Sequence, residues 1–188
     1  MSQQVADKLN KGISPQQFMD GMEKNKDAFR QNYENFAWPD DETREYFESL
    51  NNRDDLRAMI ITADWCGDAL RSVPIAFRAL EAGGVPTEVM IIEQHYDLMD
   101  RFLTLGGRSI PIALIVDTGG AVLGKWGPRP SHVQEVMIDF KEAHPDREAP
   151  SYQEHLSAAR EEMKRRYGEA SNYTPAVLKE LQDLISRV

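Results

Sequence analysis

The chain has 188 residues, a formal net charge of -9 and one cysteine. That length suits one domain with some helical additions and is too short for two full domains. The acidic total argues against a nucleic-acid or anionic-membrane surface, because such binding is driven by cations, and one cysteine excludes an internal disulfide framework.

No apolar run is long enough to span a bilayer. The opening residues Met1-Ser2-Gln3-Gln4-Val5-Ala6-Asp7-Lys8 lack a basic segment followed by an apolar one. The expectation is a soluble, cytoplasmic protein whose only route to a disulfide is through another molecule.

In chain order, Ser14-Pro15 supplies a cap with proline at the first helical position, and Phe18, Met22, Phe29, Tyr33 and Phe36 recur at roughly helical spacing until Trp38-Pro39. Asp40-Asp41-Glu42 places acid at the start of a second helix that ends at Asn51-Asn52. From Leu56 the pattern changes. Met59-Ile60-Ile61 is a short apolar run, as in a buried strand. The sequence then predicts a helix over 66–82, a strand over 87–92 and a helix over 96–105. Strands over 112–117 and 121–126 follow, joined by the hairpin signal Thr118-Gly119-Gly120. A helix over 131–143 carries Val133, Val136, Met137 and Phe140 on one face. Beyond Pro145 and Pro150 come two charged helices, over 151–167 and from Pro175 to Ile185.

The chemistry centres on Cys66, in Asp64-Trp65-Cys66-Gly67-Asp68-Ala69, where an apolar strand gives way to a helix. A thiol at a helix N-terminus meets free backbone N–H groups and the positive dipole end, which favour thiolate. Asp68 opposes this, since a nearby anion raises a thiol pKa. A lone cysteine is also commonly a buried packing residue.

Three further features accompany the thiol: Pro74 inside the predicted helix, Ser109-Ile110-Pro111 at the head of a strand, and the Lys125-Trp126-Gly127-Pro128-Arg129-Pro130 loop, whose glycine would let another chain approach. The four histidines, at 95, 132, 144 and 155, show no ligand spacing, so neither a metal nor a cofactor is expected. His95 is expected to be exposed.

The strand into Trp65-Cys66-Gly67, the kinking Pro74, the Ile110-Pro111 strand start and Gly127 after the hairpin together resemble the thioredoxin superfamily. Asp64-Trp65-Cys66-Gly67-Asp68 with Gly107-Arg108-Ser109-Ile110-Pro111 and Trp126-Gly127-Pro128-Arg129 is similar to a thioredoxin-like subgroup of bacterial proteins without a well-defined activity. The resemblance covers about Leu56 to Ala143. It implies an α/β thioredoxin fold, a mixed central sheet flanked by helices, with a cis peptide at Ile110-Pro111. On this basis residues 56–145 form the core, 1–55 and 146–188 are helical extensions, and all belong to one compact domain.

The chain departs from the family twice. Ala69 replaces the second cysteine of the thioredoxin motif, and Ile60 stands where thioredoxins carry a buried carboxylate. A two-thiol cycle is therefore not expected.

The leading expectation is a monothiol protein in which Cys66, its sulfur exposed at the mouth of the helix, forms a mixed disulfide that an external thiol resolves. Trp65, Gly67, Asp68, Ile110, Pro111 and Gly127 would position a substrate, and Arg108 and Arg129 would tune the thiolate. The partner would be a protein or low-molecular-weight thiol or disulfide, with no nucleic acid and no membrane. The alternative is a non-catalytic binding module using a Trp65, Ile110-Pro111 and Trp126 surface. The two charged C-terminal helices either cover the core or contact a partner, and the terminal helices are free to serve a dimer or partner choice.

Overall fold

The computed structural model describes residues 3–188. Its sheet has the order β2-β1-β3-β4, built from β1 (Leu56–Thr62), β2 (Thr87–Ile91), β3 (Ile112–Asp117) and β4 (Val122–Trp126). β1 pairs parallel with β2 and antiparallel with β3, and β3 pairs antiparallel with β4. This is the mixed sheet expected. β1 and β3 are central and buried along nearly their whole length, which explains why each reads as a continuous apolar run rather than an alternation. In the β3–β4 hairpin the Asp117 carboxylate accepts from the backbone N–H groups of Gly119 (2.9 Å) and Ala121 (2.8 Å). The edges are covered by the N-terminal segment, where Ile13 bridges to Val89 and Gln4 bridges to Ala121.

The helices are α1 (Pro15–Gly21), α2 (Lys26–Glu34), α3 (Asp41–Ser49), α4 (Gly67–Ala82), α5 (Tyr96–Met99), α6 (Ser131–Ala143), α7 (Tyr152–Tyr167) and α8 (Ala170–Ile185). α4 runs through Pro74, which cannot donate to the Leu70 carbonyl. The Asn32 side-chain amide from α2 donates to that carbonyl instead, at 2.9 Å. Phe18, Phe29 and Phe77 meet edge to face, with centroids 5.7 to 6.3 Å apart, so α1 and α2 are fixed to α4 by aromatic burial. α8 packs on α4 and β4, and α7 packs on α6. One hydrophobic cluster extends from Val5 to Ile185.

Several elements differ from the sequence reading. The first helical stretch is two helices, because Glu23 and Lys24 turn their N–H groups to the Asp64 carboxylate (2.9 and 3.0 Å) and Asn25 is left-handed at φ 56°. α5 stops at Met99, since Thr104 and Gly107 exchange backbone hydrogen bonds around the positive φ values of Leu105 and Gly106. α8 starts at Ala170, with Pro175 inside it. A proline this near a helix start forfeits a single backbone bond, to the Ser171 carbonyl. His95 is 9 % exposed rather than open to solvent, and burial lowers its pKa.

Candidate functional site

β1 delivers the chain into Ala63-Asp64-Trp65-Cys66, and Asp64 ties this turn down. Besides its carboxylate bonds to Glu23 and Lys24, its carbonyl accepts from the Asn25 side chain at 2.8 Å. Cys66 is the N-cap of α4. Its sulfur accepts from the Ala69 N–H at 3.5 Å, the position a serine or aspartate oxygen usually fills. The Ile110-Pro111 peptide is cis, as expected, and the Ile110 carbonyl lies across from the sulfur, accepting from the thiol at 3.4 Å. The single thiol thus sits between a helix start and the proline turn.

The expectation of an exposed sulfur is corrected: the thiol is buried. Cys66 is 8 % accessible, at the base of a cavity of about 500 Å³ whose walls include Trp65, Gly67, Asp68, Arg108, Ser109 and Ile110. The roof is α7, through Arg160, Met163, Lys164 and Tyr167. Burial pushes the thiol pKa above the ordinary cysteine value, and the Asp68 charge adds to this, against the opposing Ala69 and Asp68 backbone N–H groups and the Arg129 cation. The sequence leaves the balance between helix placement and the Asp68 charge open; in the fold burial is the largest cause, and the shift is upward.

Asp68 is held by two partners. Tyr167 donates its hydroxyl to Asp68 Oδ1 at 2.7 Å, and Arg129 Nη2 lies 2.9 Å from Oδ2 with both side chains largely shielded. Arg71 covers the Tyr167 ring at 4.7 Å. Burial, followed by the charge of Asp68, pushes the Tyr167 phenol far up, so it stays protonated and remains a donor. The two arginines expected to act alike diverge. Arg129 reaches the thiol's neighbour. Arg108 instead makes a two-point pair with Asp100 (2.7 and 2.9 Å) and lies over the Tyr96 ring on the cavity rim.

Trp65 is half exposed on the rim, its indole N–H bonded to Glu93 at 2.6 Å. Gly67 also lines the cavity, and a Cβ there would meet nothing nearer than Arg71 Nη1 at 3.9 Å. Gly127 is elsewhere. Its φ of 111° and a collision between any Cβ and the Pro111 carbonyl oxygen show that its own chain fills the space read as room for another. The Gly127-Pro128 peptide is also cis, which the sequence reading did not include. Trp126 is buried, and its indole donates to Glu180 of α8 at 2.7 Å, so it forms no exposed platform. Pro111 backs the turn, and Ile110 alone of that pair lines the cavity.

Sequence reasoning missed Asp64 as an anchor and left open whether α7 covers the core or contacts a partner. The first had a signal in its place beside Trp65-Cys66; the second had only an amphipathic pattern. Ile60 is buried hydrocarbon on β1, as its identity implies. Among the described residues no cluster of three or more His, Cys, Asp or Glu side chains could hold a metal, and no helix is long and apolar enough to cross a membrane.

Comparison with known proteins agrees with this geometry. Over its full length the chain is similar to a crystal structure of a protein of unknown function from Pseudomonas aeruginosa, with TM-score 0.64, 16% identity and 98% of each chain covered. It is similar also to a crystal structure of an HIV epitope-scaffold, with TM-score 0.65, 14% identity and 99% of each chain covered. At such identities the likeness shows the fold alone. A search of curated proteins returns no match. Residues 12–143, a span that begins ahead of α1 and ends with α6, match the family model Thioredoxin_9, described as Thioredoxin. With a thioredoxin-like fold and a match over well more than half its length, the chain belongs to this thioredoxin family.

Proposed function

We propose that the protein carries out thiol–disulfide exchange with one sulfur. The observation that carries this reading is the position of Cys66 Sγ at the base of an open cavity, 3.4 Å from the Ile110 carbonyl. The thiol loses its proton to solvent and the thiolate attacks one sulfur of a disulfide. A Cys66–substrate S–S bond forms, the original S–S bond breaks, and the departing thiolate takes up a proton. With Ala69 three residues on, release requires an external thiol that attacks the mixed disulfide and restores Cys66. A reducing compartment, which we take to be the cytoplasm, supplies such thiols.

Ile110, with Pro111 and Gly127 holding its turn, positions the substrate beside Sγ, while Trp65 and Gly67 form the rim. Burial, with the Asp68 charge added to it, favours the protonated thiol in the free protein. A binding module built on Trp65, Ile110-Pro111 and Trp126 loses one member, because Trp126 is covered by α8. The test is intact-mass analysis after incubation with excess hydroxyethyl disulfide. A single adduct on Cys66 that added thiol removes is expected. Absence of an adduct on native protein, with full modification after unfolding, overturns the reading.

A further inference from the structure

Five cationic side chains and one carboxylate line the thiol cavity, in a chain whose net charge is -9. The cations converge from four separate elements: Arg71 on α4, Arg108 before β3, Arg129 after β4, and Arg160 and Lys164 on α7. The carboxylate, Asp68, already has Arg129 and Tyr167 as partners. Arg108 is paired with Asp100 and Lys164 with the exposed Glu161, whereas Arg160 is exposed and has no ion-pair partner among the described residues. An exposed pair such as Lys164–Glu161 holds weakly and re-forms readily on a better anion.

We propose that the Cys66 site takes an anionic low-molecular-weight disulfide bearing carboxylates, which Arg160 and Lys164 draw under the α7 roof toward the sulfur. This deepens, and rests on, the exchange function proposed above. The size of the site favours a small molecule over a protein strand. About 500 Å³ beneath a helix falls within the range of small-ligand pockets, and α8 covers the Trp126 surface along which an extended segment would lie. Cations gathered in a cleft with low-dielectric walls focus the field there, raising the local concentration of anions even where the molecule as a whole repels them. The exchange is otherwise unchanged: one carboxylate-bearing half joins Cys66 through sulfur, and the other leaves as a thiol.

Three disulfides that differ in charge provide the test: dithiodipropionate (two carboxylates), hydroxyethyl disulfide (neutral) and cystamine (two ammonium groups). The rate of adduct formation on Cys66 is followed by intact mass. Each rate is divided by that of the same disulfide with N-acetylcysteine amide, which removes differences in intrinsic reactivity. The anion is expected to react about tenfold faster than the neutral compound on this scale, and the cation more slowly than either. The preference should collapse toward unity in about 1 M salt, where the screening length is roughly 3 Å. In an Arg160→Glu, Lys164→Glu double variant, at two exposed positions, it should vanish or reverse. Because the readout is a ratio, a changed thiol pKa in the variant cancels. A neutral adduct forming with no preference for the anion overturns this inference and leaves exchange standing; no adduct from any of the three overturns both.

Discussion

The floor and the roof of the thiol cavity are made by different kinds of structure. The floor is the end of β1, the cap of α4 and the Ile110-Pro111 turn, held by bonds between backbone groups and the side chains of Cys66 and Asp64. The roof is α7, about a hundred residues further on, held by side chains: Tyr167 on Asp68, and Arg71 over the Tyr167 ring. The floor presents a sulfur; α7 adds Arg160, Met163, Lys164 and Tyr167 to the cavity lining.

The largest effect that separates the two belongs to the floor. Cys66→Ser removes the nucleophile, so adduct formation with any disulfide should fall to background while the fold, read by circular dichroism, is kept; residual exchange would place the chemistry elsewhere. Next comes Arg129→Met, which leaves the Asp68 carboxylate shielded without its cation. A loss of about 3 kcal/mol in urea unfolding is expected, the scale for breaking a shielded ion pair. The same change should move Cys66 titration further up, since the cation that opposes Asp68 is gone. Tyr167→Phe removes one donor to Asp68 and should cost roughly 1.5–3 kcal/mol, the range for a hydrogen bond to a charged group.

The smallest effect is the most diagnostic. Asp68→Asn deletes a charge that holds the thiol protonated, so the pH profile of Cys66 alkylation should shift to lower pH, with a several-fold faster rate near neutrality. A shift in the other direction would mean that Asp68 acts through packing rather than charge.

The sequence made the floor legible and left the roof obscure, for a physical reason. Apolar run, Trp-Cys, helix and strand-head proline are local patterns governed by burial and backbone preference, so Met59-Ile60-Ile61, Cys66 and Ile110-Pro111 could be placed from neighbouring residues. Where α7 docks depends on Tyr167 meeting Asp68 and Arg71 across the fold, and periodicity gives a helix its apolar face but not its destination. The sequence reading exposes Cys66 for the same reason, whereas the fold buries it. Gly127 shows a related ambiguity: the need for a missing side chain was visible, but whether another molecule or the Pro111 carbonyl takes that space was not. Arg108 and Arg129 look equivalent in the chain and differ because Asp100 claims one and Asp68 the other.

Burial favours the protonated Cys66 thiol in the fold, so the stability tied to it is whole below the pKa of the unfolded thiol and is lost as pH rises through the higher native value. The most direct measurement is the rate of Cys66 alkylation by iodoacetamide across pH, on native and on urea-unfolded protein. Native Cys66 should react to completion, with a midpoint above that of the unfolded chain. If the native thiol stays unmodified at every pH at which the unfolded one is consumed, the sulfur is sealed from the cavity and one-thiol exchange at this site is ruled out.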